Sequence, residues 1–71
     1  MKPLQKYLKE HRLSQTQFAE KVGVNQGLVS MWLNKKVRMT PQWVLEVEKK
    51  TGGELTRYEL RPDIYPRDNV A

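Results

Sequence analysis

The sequence predicts an all-α fold, a bundle of four helices followed by a short fifth helical turn and an extended C-terminal tail. Three observations carry this expectation. Apolar residues recur at helical spacing, as in Leu4, Tyr7 and Leu8, in Phe18, Ala19 and Val22, and in Val44 and Val47. Capping residues stand before the helical runs at Ser14, Asn25, Thr40 and Thr56, with Pro41 suited to a first helical position. Glycines stand where helices should stop, at Gly23 and at Gly52-Gly53.

Seventy-one residues make one domain near the lower size for a single core. It is expected to span residues 1–66, with residues 67–71 too poor in signal to do more than fray. Residues 3–12 read as the first helix, in which Leu4, Tyr7, Leu8 and His11 trace one stripe. Ser14 with Gln17 three residues later makes a capping-box pattern for the second helix. Residues 15–34, QTQFAEKVGVNQGLVSMWLN, then form the stretch on which the chain is organised. Phe18, Ala19 and Val22 bury one face of the first helix of this pair. Gly23 supplies the turn, Val24 fills it, and Val29 and Trp32 return the second helix to the same core. Ala19 must be small because the two helices cross closely there. Steric demands this varied, met together, are the pattern of a helix-turn-helix.

The second helix of the pair has an outward face made by Asn25, Gln26, Gly27, Ser30, Met31 and Asn34. Short hydrogen-bonding residues dominate it, where an ordinary solvent face carries Lys and Glu. In a helix-turn-helix this face enters the major groove. Gln can bond adenine through two atoms, Ser is an adaptable donor or acceptor, and Met can lie against a thymine methyl. Asn25, Gln26, Gly27, Ser30 and Met31 are therefore the candidate base readers. Gly27 costs helix stability, about 1 kcal/mol relative to Ala, and close approach of the backbone to DNA would offset it. Asn34, Lys35, Lys36 and Arg38 follow as candidate phosphate contacts in the loop after the helix, where Val37 and Met39 are expected to tuck inward.

Thr40 caps a fourth helix, Val44, Val47 and Thr51 share its core face, and the two glycines end it. Thr56 and Glu59 make a second capping box for one or two turns, closed by the restriction that Pro62 places on Arg61. Ile64 and Tyr65 are apolar residues in a polar tail. With Trp43 and Leu45 they are the residues a four-helix core does not need, and a weak homodimer through the C-terminal half is expected to use them.

Composition narrows the function. The chain has 13 Lys and Arg against 8 Asp and Glu, a formal charge of +5, which favours a polyanionic partner. With no cysteine there is no disulfide, zinc-thiolate site or reactive thiol. A single histidine, no glycine-rich phosphate loop and no paired carboxylates in a plausible cleft argue against an enzyme. No metal, cofactor or small-molecule substrate is expected. No apolar run approaches the ~18 residues of a membrane span, so a cytoplasmic protein without membrane contact is expected.

Over residues 1–66 the chain resembles the phage Cro and YdaS-type helix-turn-helix proteins. The resemblance rests on SQTQFAEKVGVNQGLVSMWLN and on TPQWVLEVEKKTGGELTRYELRPDIYP, of which the second is the more specific. It implies a lambda-repressor-like bundle and a small prophage-type regulator that occupies a palindromic double-stranded DNA operator. It further implies that Gln15 and Gln17 contact phosphate and that Gln26, Gly27, Ser30 and Met31 read bases. Gly27 departs from the usual small alanine or serine, and Met31 from a common polar residue. Some members of the Cro group have strands in the C-terminal half, but the Thr40-Pro41 start, the Gly-Gly stop and the Thr56 box favour the helical form. A rival reading is an antitoxin-like protein-interaction module, for which Trp43 and Tyr65 would be the exposed aromatics.

Overall fold

Trp32, Phe18 and Leu4 are the largest side chains fully withdrawn from solvent, and the helices are arranged to cover them. The computed structural model describes residues 2–66, and its regular structure there is helical: α1 (Lys2–Glu10), α2 (Gln15–Val22), α3 (Gln26–Leu33), α4 (Pro41–Lys50) and α5 (Arg57–Leu60). The expected tail at residues 67–71 lies outside the described residues.

Helices α2 to α5 each begin at a side-chain cap. Ser14 and Gln17 form the complete capping box of α2, the Ser14 Oγ accepting from the Gln17 N–H and the Gln17 Oε1 accepting from the Ser14 N–H. Asn25 Oδ1 accepts from the Leu28 N–H at 2.8 Å, and Thr40 Oγ1 accepts from the Trp43 N–H. The box of Thr56 and Glu59 starts α5. Such caps contribute about 1 kcal/mol each by satisfying amides that helix starts leave open.

The buried faces meet as the sequence pattern requires. Leu4, Tyr7 and Leu8 from α1, Phe18, Ala19 and Val22 from α2, Val29 and Trp32 from α3, and Val44 and Val47 from α4 form one core with Met39, Leu55 and Leu60. Tyr7 and Phe18 stack edge to face at 5.8 Å. Thr51 is buried at the end of α4, where its hydroxyl donates to the Val47 carbonyl and accepts from the Leu55 N–H. The first helix stops at Glu10, two residues short of the expected end, and His11 turns outward to meet Glu54 at 2.7 Å.

Two expectations about the C-terminal half change. Met39 is wholly buried but Val37 is 39% exposed, because the chain bends at Lys36 and Val37 and only Met39 faces the core. Residues 62–65 form a turn where extended chain is expected, closed by Tyr65 N–H to Arg61 O at 2.8 Å. Arg61 is the reason. Its guanidinium donates twice to Asp63, at 2.9 and 2.7 Å, and once to the Met39 carbonyl at 2.8 Å. That fork fixes the segment after α5 against the loop after α3.

Candidate nucleic-acid interface

Gly23 takes φ 92° and ends α2 in a left-handed turn, so α3 starts three residues later and folds back across α2, whose Ala19 is 2% exposed. This crossing sets α3 with Val29 and Trp32 inward. Asn25, Gln26, Gly27, Met31 and Asn34 are then exposed, and Ser30 is half-buried between them. From Glu20 to Glu46 the chain carries no Asp or Glu, while Lys21, Lys35, Lys36 and Arg38 all fall in that interval. That stretch of chain, which holds α3 and the loop after it, therefore supplies no carboxylate of its own to repel a phosphate backbone.

The first residues of α2 and α3 are joined. Gln26 Nε2 donates to Gln15 Oε1 at 2.6 Å. One amide hydrogen of Gln26 is thus occupied, which leaves its other N–H and its Oε1 as a donor–acceptor pair at the start of α3. This is the pair that meets N7 and the N6 amino group of adenine. The bond also leaves the Gln15 amide nitrogen free to donate outward. Gln17 is oriented in the same sense, because its Oε1 is taken by the cap and its N–H donors remain. Sequence reasoning placed these glutamines separately. Their position as the first helical residue after each turn cap was the available signal for the pair.

The other candidates are placed unequally. Asn25 uses its carbonyl oxygen as the cap of α3, so only its amide nitrogen is left for a partner. Gly27 lies beside that cap, and a Cβ built there would stand 3.3 Å from Asn25 Oδ1. A side chain at this position would therefore press on the capping oxygen, a local reason for glycine besides any approach to DNA. Asn34 Nδ2 donates to Ser30 Oγ at 3.4 Å, a bond that does not use the serine hydroxyl hydrogen. Met31 is 38% exposed.

In the loop, Lys35 and Lys36 are exposed and have no carboxylate within ion-pair distance among the described residues. Arg38 differs. Its Nη1 donates to Asp63 at 3.0 Å, although its side chain is 77% exposed. Asp63 thus bridges Arg38 and Arg61. Hydrogen bonding from Arg61, with a smaller contribution from both positive charges, holds its carboxyl down at about 2. A phosphate reaching Arg38 would share it with a fully ionised carboxylate. Beneath this bridge is a cleft of about 460 Å³ whose floor includes Trp32, Met39 and Leu60.

Among the described residues no group of three or more His, Cys, Asp or Glu could hold a metal ion. None of the helices is long and apolar enough to cross a membrane.

Comparison with known proteins gives two similarities. Residues 10–69 match the family described as bacterial toxin YdaS. The chain is also similar to a prophage transcriptional regulatory protein of Escherichia coli (strain K12). The two are 35% identical over 54 residues, which cover 76% of this chain and 82% of that protein. No solved structure matches.

Proposed function

The chain belongs to the YdaS family, and from that premise we propose that it is a sequence-specific double-stranded DNA-binding regulator that represses transcription by occupying a promoter operator. The observation that supports this reading best is the Gln26–Gln15 bond at 2.6 Å. It holds a bidentate adenine reader at the start of an exposed helix within an acid-free, basic stretch of chain. Ser30 and Met31, one turn further along, extend the reading face, and Gln15, Gln17, Asn34, Lys35 and Lys36 flank it as phosphate donors. The similar E. coli protein is named as a transcriptional regulator, which agrees with this reading. The chemistry is binding only, without catalysis.

One module of this size buries roughly 600–1,000 Å² on DNA, too little for a tight and selective complex. Two copies on half-sites about 34 Å apart would read a palindrome and double the phosphate contacts. The residues proposed to join them are Leu45 and Ile64, each 40% exposed. Trp43 and Tyr65 serve the monomer: both pack on its core, Trp43 at 6.3 Å from Trp32 and Tyr65 beneath Arg57 at 5.7 Å. The second reading, a protein-interaction module of antitoxin type, expects Trp43 and Tyr65 as exposed aromatics. With both packed on the core, Leu45 and Ile64 are exposed apolar residues of the C-terminal half left to it.

A titration of labelled duplex at several salt concentrations tests the proposal. Log K is expected to fall by about 0.9 per phosphate contact for each unit of log salt. Lys36→Ala is expected to weaken binding to all sequences and flatten that slope by roughly 1. An unchanged slope would remove the loop from the interface, and no duplex binding at all would leave the protein-interaction reading.

A further inference from the structure

Four helices of the bundle end in the same way. After α1, α2, α3 and α4 the chain passes through a positive φ: 54° at Arg12, 92° at Gly23, 59° at Lys35 and 65° at Gly52. Each turn is closed by an N–H reaching back five residues. Leu13 donates to the Leu8 carbonyl, Val24 to Ala19, Lys36 to Met31 and Gly53 to Glu48, every one at 2.9 Å. These are Schellman ends, in which glycine is the residue at ease. A residue with a Cβ is disfavoured in the left-handed region. The same backbone is therefore relaxed at Gly23 and Gly52 and strained at Arg12 and Lys35.

Both strained positions hold long cations. Neither cation is occupied, since the ion pairs among the described residues use His11, Arg38, Arg57 and Arg61. Attraction to the helix dipole does not account for Arg12. The last turn of α1 already carries Lys9, and α2 and α4 combine last-turn lysines with glycine in the turn. The two positions bracket the α2–α3 pair in the chain: Arg12 stands two residues before the Ser14 cap of α2, and Lys35 follows Asn34 at the end of α3. Strain of this kind concentrates at functional sites because the side chain is needed there.

We infer that Arg12 and Lys35 are a pair of DNA phosphate clamps at the two ends of the α2–α3 helix pair, kept in strained turns because glycine would give up a backbone contact. The inference rests on the proposed DNA-binding function and adds Arg12 to its interface. An arginine there can present two parallel N–H groups to one phosphate.

The test uses the full chain with Arg12→Gly, Lys35→Gly and the double substitution, and Arg12→Lys as a charge-keeping control. Each glycine is expected to raise the melting temperature by a few degrees, because it relieves the turn. Each is also expected to weaken binding to selected and random duplex alike and to lower the salt slope by about 0.9. Arg12→Lys is expected to keep the slope and leave the melting temperature near wild type. Glycine variants that bind with the wild-type slope, or that melt below wild type, would overturn the inference while leaving the regulator reading in place. A wild-type chain that binds no duplex would overturn both.

Discussion

The side-chain amide of Gln26 donates to the side-chain oxygen of Gln15 across 2.6 Å, and so ties the first residue of α3 to the first residue of α2. A long, flexible glutamine thereby becomes an oriented one before any DNA arrives, and less side-chain entropy is left to lose on binding. Several consequences can be measured.

If Gln15 orients Gln26, the two should be coupled in DNA binding. Gln26→Ala is expected to cost about 1–3 kcal/mol on the preferred site and to relax preference at one base position per half-site. Gln15→Ala is expected to lose part of the same energy, so a double-mutant cycle should give a coupling of about 0.5–3 kcal/mol. Strictly additive losses would mean that the bond does not operate on DNA.

Reading and folding should separate along α3. Val29 is fully buried, so Val29→Asp would bury an unpaired charge and is expected to remove most of the ~5–15 kcal/mol that holds such a domain folded. Ser30→Ala removes a half-buried hydroxyl at the reading face and is expected to keep the helical circular dichroism while weakening the preferred site. Equal loss of thermal stability in both variants would show that the face is misassigned.

These two sites also show what the sequence made legible and what it did not. The caps at Ser14, Asn25, Thr40 and Thr56, the glycine turn and the core stripes all depend on residues at most four apart, and each could be read directly. Partners distant in the chain could not. His11 meets Glu54, Arg57 donates to Glu48, and Arg61 reaches the Met39 carbonyl only once the helices have packed. For the same reason Arg38 reads as a free phosphate contact in the sequence, since Asp63 comes beside it only in the folded chain. Val37 reads as equivalent to Met39 because no glycine or proline announces the bend at Lys36 and Val37. Arg12 was hidden differently: it occupies a left-handed position where a glycine would have announced the helix end.

The Arg38–Asp63–Arg61 bridge predicts a response to acid. The Asp63 carboxyl is lowered in the folded chain from 3.8 to about 2, first by hydrogen bonding from Arg61. A lowered acid stabilises the fold above its unfolded value and loses that contribution as pH falls through the folded one. Wild type is therefore expected to melt above Asp63→Asn at neutral pH, with the gap closing between about pH 4 and pH 2. A gap that stays constant down to pH 2 would assign the effect to packing of the turn.

For assembly, Leu45 and Ile64 are the residues to change, because cutting the chain after Pro62 would also remove Tyr65 from the core. Sedimentation equilibrium of wild type is expected to show a weak dimer, and Ile64→Asp a monomer with unchanged circular dichroism. Wild type that remains monomeric at high concentration would leave dimerisation, if any, to the DNA.

Selection of bound duplexes from a random pool, followed by titration of the winner against random DNA, tests the central claim most directly. The expected result is a two-fold-symmetric site with half-sites roughly 10 base pairs apart centre to centre, containing adenine where Gln26 reads. Its affinity should exceed that for random duplex by at least about 10³ at the same salt. A pool that yields no common site, with all duplexes bound equally, would contradict sequence-specific regulation by this chain.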